Sequence, residues 1–335
     1  MVKKLLLSVS ILVSSTLIAQ EVNIYSHRHY DTDKKLFKAF EEQTGIKVNI
    51  VTAKADELIN RIAKEGKNSP ADLLITSDAG RLYLAQEAGL LQTIDSKILN
   101  QTIPEKLRQK DGYWFALTKR ARVIVYNKYK IKPEELSTYE ALTNEKFYKK
   151  VLVRQSDNIY NQSLLAAMIA NKGEEKAKLW AKGIVDNFAR DPRGSDRDQM
   201  KAVAAGLGDV AIVNTYYLGK LLKSKKVSEV AVGKKMGIFF PNQNSNGTHI
   251  NISGAGVIKY SKNKQNAIKL LEFLVSPQAQ KLFAEANYEY PVNRDVQPSL
   301  LIQSWGEFKE DTLPLEELGK NNSKAVKIFN EVGWK

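Results

Sequence analysis

The sequence predicts an α/β protein of two lobes with a ligand cleft between them. Three observations carry this. Short β-rich runs alternate with amphipathic helical stretches from residue 22 onward. Two such series follow one another with no Pro- or Ser-rich linker between them. The chain, at 335 residues, has the length of about two domains. A hydrophobic content of 43% with 9% aromatics supports packed cores and argues against disorder.

The elements follow in order. Residues 1–19, MVKKLLLSVSILVSSTLIA, read as a signal peptide: Lys3 and Lys4 form a basic start, an apolar run too short to span a bilayer follows, and small polar residues lead to Ala19. The first series then sets strands at 22–25, 48–51 and 72–76 against helices at 31–44, 55–64 and 79–88. Leu36, Phe37 and Phe40 recur at helical spacing before the Gly45 stop, and Leu58, Ile59 and Ile62 share one face. Residues 122–126 form a further strand, with a short helix at 138–142 after Pro133. The second series has strands at 151–154, 210–214 and 237–240, with helices at 163–171, 174–188, 195–207 and 218–223. After a β-rich stretch at 250–258 the chain turns mostly helical, including 266–274 and 278–286.

A chain that leaves one lobe near residue 119 and returns near 256 joins the lobes by more than one strand, which makes a hinge over a cleft. The expected division is 20–119 with 257–335 as the first lobe and 120–256 as the second.

Composition narrows the chemistry. There are no cysteines, which excludes disulfides, thiolate metal sites and a lipidated N-terminal cysteine. Lys and Arg number 51 against 37 Asp and Glu, and removal of Lys3 and Lys4 with the signal peptide takes the net charge from +14 to +12. Export and scattered basic residues argue against nucleic acid as a partner. The Lys-rich segment 220–235 reads as a solvated helix and loop. No Gly-rich phosphate loop, G-x-S-x-G elbow or H-E-x-x-H motif is present, and the histidines are His27, His29 and His249 alone. The expectation is a binding protein, not an enzyme. A hydrolase using His27 or His29 is the weaker alternative.

Polar aromatics cluster at strand ends. His29 and Tyr30 follow the first strand, Tyr160 follows the strand at 151–154 after a short loop, and Tyr216 with Tyr217 directly follow the strand at 210–214. Ligands of open α/β sheets bind outside the carboxyl ends of strands, so all five side chains can converge across one cleft. Phenolate is a hard anionic donor and imidazole a borderline one, a set suited to a cation such as Fe3+. A trivalent ion favours deprotonation of phenols whose free pKa is about 10. Four phenolates exceed the charge of Fe3+ by one, and Arg120 and Arg122 in TKRARV supply compensating cations. The chain has 14 tyrosines, however, and packing with a single hydrogen bond is the ordinary role of a buried one.

The segments VNIYSHRHYDTDKKLFKAFEEQTGIKVNIV, KADELINRIAKEG, SPADLLIT, LTKRARVIVYNK, NQSLLAAMIA, VNTYYLGKLL, GTHINISGAGV and YEYPVN run in order from residue 22 to about 293. Together they resemble the ferric-iron substrate-binding proteins of bacterial ABC transporters, the cyanobacterial and Campylobacter-type iron-uptake members above all. The resemblance implies a type II periplasmic binding protein fold whose hinge strands cross between lobes that close on Fe3+. It implies His29, Tyr30, Tyr160, Tyr216 and Tyr217 as ligands, with Arg120 beside the metal to offset negative charge. It further implies a soluble, monomeric periplasmic protein without a lipid anchor, which delivers iron or an iron chelate to an inner-membrane permease and its ATPase. Ferrous iron is left open beside ferric iron. A small organic anion, sugar or polyamine is the alternative ligand on the same fold.

Overall fold

A computed structural model describes residues 20–28 and 30–335. The expected signal segment and His29 lie outside the described residues.

Eight strands form one curled mixed sheet in the order β2-β1-β3-β8-β4-β6-β5, with β7 also pairing with β4. They are β1 Glu21–Ser26, β2 Lys47–Thr52, β3 Leu73–Ser77, β4 Phe115–Asn127, β5 Val151–Leu152, β6 Val210–Asn214, β7 Met236–Phe239 and β8 Ile250–Val257. Pairs β1/β2, β1/β3 and β5/β6 are parallel, whereas β8 runs antiparallel to both β3 and β4. This is the two-lobed α/β architecture of the type II binding proteins.

Two long strands carry the chain between the halves. The first part of β4, Phe115 to Ala121, pairs with β8. From Arg122 onward β4 pairs instead with β6, and from Ile124 also with β7. The predicted strand at 122–126 is therefore only the second part of a 13-residue element. Its first part was obscured by Thr118, Lys119 and Arg120, polar residues that alternation does not place in a strand. A register shift between Ala116 and Thr118 accommodates them, and Arg120 is buried.

The helices follow from local sequence. Asp31–Thr44 buries Leu36, Phe37 and Phe40 and ends at Gly45, whose φ of 71° suits a residue without Cβ. Ile159–Lys172 begins four residues before the predicted 163–171. Its start is fixed by Asn158, whose side chain accepts a 3.1 Å hydrogen bond from the Tyr160 amide. Thr215–Leu222 starts directly where β6 ends. Gly219 in this helix packs against Tyr288 so closely that a Cβ would lie 2.6 Å from that residue's Cβ. The absence of a side chain there lets the helix approach the 288–290 segment.

Buried apolar side chains gather in two clusters. The larger contains Val22, Ile24, Leu36, Phe40, Leu73 and Ile252, and extends to Val213 and Leu218. The smaller holds Ile124, Phe147, Leu164, Trp180 and Ile212, and it also takes in Ala325, Ile328, Phe329 and Trp334 from the C-terminal end. No described helix is long and apolar enough to cross a membrane.

Candidate metal centre

Each predicted tyrosine sits where a strand gives way to a helix. Tyr30 is the residue before helix Asp31–Thr44, Tyr160 is in the first turn of Ile159–Lys172, and Tyr216 and Tyr217 are in the first turn of Thr215–Leu222. The positive end of a helix dipole favours an anion there, phenolate included.

The four phenols come together. The Tyr160 and Tyr216 hydroxyl oxygens lie 3.3 Å apart, and the rings of Tyr216 and Tyr217 are 4.2 Å apart between centroids. Tyr30 belongs to the same group: its hydroxyl interacts electrostatically with that of Tyr160, and both Tyr216 and Tyr217 feel Tyr30 and Tyr160. Tyr30, Tyr160 and Tyr217 line a cavity of about 440 Å³ together with His27, Arg81 and Arg154. Among the described residues no group of three or more His, Cys, Asp or Glu is placed to hold a metal ion; the phenols are the donors that converge.

Burial pushes the pKa values of Tyr30, Tyr216 and Tyr217 above the ordinary phenol value, and the neighbouring phenols push further in the same direction. Tyr30, Tyr216 and Tyr217 are thus protonated at neutral pH in the protein alone. A hard cation at the cluster reverses that preference, because a bound multivalent ion is the largest local charge.

Cations ring the cluster. Arg120, Arg122 and Arg154 carry their guanidinium carbons 5.5, 5.8 and 5.7 Å from the Tyr160 ring centroid. Two of them share one carboxylate: Arg122 pairs with Asp196 at 2.8 Å and Arg154 at 3.4 Å, with Asp196 fully buried. Arg122 also donates to the side-chain oxygens of Asn161 and Asn214. Arg120 is different. Only 1% exposed, it donates through Nη1 to the Ser253 hydroxyl at 3.2 Å, while Nε and Nη2 have no hydrogen-bond partner among the described residues.

Around Tyr30 the pattern is another one. Arg28, also buried, is held by Asp33 at 2.9 Å and Glu289 at 3.1 Å and lies 5.0 Å from the Tyr30 ring centroid. The Lys220 ammonium reaches across to within 3.7 Å of the Tyr30 centroid and 5.3 Å of that of Tyr216. Burial lowers the Lys220 pKa to about 8 against the pull of Glu289. The expectation of a solvated segment at 220–235 therefore fails at its first residue, although Lys223, Lys225, Lys226, Lys234 and Lys235 are exposed. The sequence reading also passed over Arg28, Asp196 and Glu289. The first stands inside SHRHYD and the last inside YEYPVN, but Arg28 and Glu289 are 261 positions apart and share no local signal.

Of the remaining histidines, His27 lies with its Nδ1 3.3 Å from the Ala53 carbonyl oxygen. His249 is buried, and burial with Arg122 and Arg120 nearby pushes its pKa down to about 3, which keeps it a neutral imidazole.

A two-lobed α/β sheet with a polar cluster at its strand ends is the arrangement of a ligand-binding cleft. The sequence matches the bacterial extracellular solute-binding protein family over residues 26–281, and the chain belongs to that family. Among relatives, it is 52% identical to iron uptake protein A1 of Synechocystis sp. over 316 residues, which cover 94% of this chain and 88% of that one. Among solved structures, Trichodesmium FutA (IdiA), determined in complex with iron and citrate ligands, superposes with a TM-score of 0.91 at 53% identity, covering 94% of this chain and all of that one. The ferric binding protein from Campylobacter jejuni gives 0.90 at 48% identity, with 94% and 100% covered.

Proposed function

We propose that this protein captures ferric iron outside the cytoplasm as cargo for an ABC uptake system and catalyses no reaction. Tyr30, Tyr160, Tyr216 and Tyr217 serve as phenolate ligands, His29 as the imidazole donor, and Arg120 as the neighbouring cation that offsets the surplus negative charge. The observation that carries this reading is the convergence of four phenols within a cleft that also holds a buried, under-partnered guanidinium. Hard anionic oxygen donors of this number match a hard trivalent cation. The iron and citrate ligands of the Trichodesmium relative and the names of the other relatives support it.

In this proposal the lobes are the 20–119 with 257–335 and 120–256 expected from the sequence, except that the C-terminal helix Asn322–Val332 and Trp334, which pack with the core of the second lobe, are counted with it. Tyr160, Tyr216 and Tyr217 load first, and closure brings Tyr30 and His29 across. Only the closed form completes the coordination shell, so iron shifts the population toward it. The loaded monomer, soluble in the periplasm after loss of residues 1–19, then passes iron to an inner-membrane permease with its ATPase. Ferrous iron draws on the same donors, but gains less from phenolates because its charge is lower.

The Arg81 and Arg154 side chains in the same cavity favour a second reading, in which a small organic anion binds without metal. One titration separates the two. Ferric citrate added to the mature protein is expected to produce a visible phenolate-to-iron charge-transfer band at one iron per chain. A colourless protein that takes up citrate but no iron would establish the anion reading instead.

A further inference from the structure

Asp78, the residue between β3 and the helix Ala79–Glu87, is fully buried and has a backbone φ of 100° with ψ of 122°, a region that non-glycine residues rarely occupy. Such strain persists only where surrounding contacts over-determine it. Here they do. The Asp78 amide donates to the Ile252 carbonyl at 2.7 Å, and the side chain accepts from the Gly80 amide at 2.9 Å and from the Asn251 side chain at 2.8 Å. Asn251 in turn accepts from the Ala79 amide at 2.9 Å. These bonds all lie on the side of β3 and β8, where they cap the helix and hold the strained residue.

One further bond reaches a different element. Ser163, itself fully buried, donates its hydroxyl to the Asp78 carboxylate, 2.8 and 2.9 Å from the two oxygens. Ser163 lies one turn beyond Tyr160 on the helix Ile159–Lys172. The pair is 85 residues apart and joins the end of β3 to the helix bearing a proposed ligand. Arg120 interacts electrostatically with Asp78 and lies over the Tyr160 ring, so carboxylate, guanidinium and phenol form one connected set.

We infer that Asp78 is a positioning residue that latches the Tyr160 helix against the first lobe through Ser163 and thereby sets how long iron stays in the closed cleft. This rests on the iron-binding reading above. Asp78 touches no ligand. It acts by fixing the helix from which Tyr160 reaches the metal, and opening the cleft separates that helix from the strand end that carries the carboxylate. A charge-assisted hydrogen bond lost only on opening slows release on the order of tenfold.

The test compares wild type, Ser163→Ala and Ser163→Thr, each loaded with ferric iron and mixed with excess competing chelator, with release followed as decay of the charge-transfer band. Ser163→Ala is expected to release iron about tenfold faster with the band at its wild-type wavelength, since the ligands remain. Ser163→Thr, which keeps the hydroxyl, is expected to stay within about twofold of wild type. Should Ser163→Ala fail to fold, Asp78→Asn, whose amide accepts fewer of the same hydrogen bonds, carries the same expectation of faster release. Release from Ser163→Ala at the wild-type rate overturns the latch, as does faster release with a displaced band, which marks a changed ligand set. Lack of any band in the wild type is a separate result: it overturns the iron-binding reading itself.

Discussion

The two sides of the cleft solve the problem of buried charge in opposite ways. Beside Tyr30 one guanidinium, Arg28, sits between two carboxylates, Asp33 and Glu289. Beside Tyr160 three guanidinium groups face two carboxylates, Asp196 and Asp78, and one of the three, Arg120, keeps two donor nitrogens without a partner among the described residues. Excess carboxylate disfavours a phenolate and excess guanidinium favours it. This difference is the basis of the proposed order, in which the Tyr160–Tyr216–Tyr217 side takes the metal and the Tyr30 side is recruited afterwards. Lys220, lying over Tyr30 from the opposite side, brings the cation that the Tyr30 side lacks.

The strongest way to break this comparison is to remove phenols. Tyr216→Phe combined with Tyr217→Phe deletes two donors from the cation-rich side. Iron should be lost to citrate with no charge-transfer band remaining, a loss well beyond the roughly hundredfold that an outer partner costs. Tyr30→Phe should keep a coloured complex of lower affinity, seen as a band that survives at saturating iron but bleaches at lower chelator concentration. If Tyr30→Phe instead abolished the band while the double variant kept it, the order of loading would be reversed.

The carboxylates sharpen the contrast through stability. Asp196→Asn removes the fully buried partner that the buried Arg122 shares with the partly exposed Arg154, and should destabilise the metal-free protein by about 3 kcal/mol in denaturant unfolding. Glu289→Gln leaves Arg28 still paired with Asp33, so its cost should be about 1 kcal/mol. Equal losses from the two variants would contradict the assigned imbalance.

Much of this arrangement was legible because it is local. Strand β6 and helix Asp31–Thr44 stand where hydrophobic spacing put them, and tyrosines at strand ends mark a cleft because sheet topology does. The polar first part of β4 was not legible: Arg120 is buried by pairing with β8, far along the chain. Nor were the ion pairs of Arg28 and Asp196, which depend on residues brought together only by the fold. The stretch 133–142, expected to contain a helix at 138–142, forms separate short 3-10 turns at Pro133–Glu135 and Glu140–Thr143. Lys220 misled for the converse reason, since five exposed lysines follow it in sequence.

The cation-rich side can also be tested by pH. His249, between Arg122 and Arg120, has its pKa lowered to about 3 from 6.5 in the unfolded chain. Its neutral form is the folded form, so its contribution is full above pH 6.5 and is lost progressively toward pH 3 as the unfolded state takes up the proton. By pH 5 this costs about 2 kcal/mol. His249→Gln should flatten that part of the stability profile, measured by denaturant midpoints between pH 7 and 5.

The central claim is that iron is held by phenolates that are protonated before it arrives. Proton release on loading tests it most directly: ferric citrate is added to weakly buffered mature protein near pH 7, with protons exchanged by the freed citrate subtracted. The four-phenol site predicts release of about four protons per iron and an affinity that falls steeply on acidification. Loading without proton release, at an affinity flat between neutral and mildly acidic pH, would contradict it.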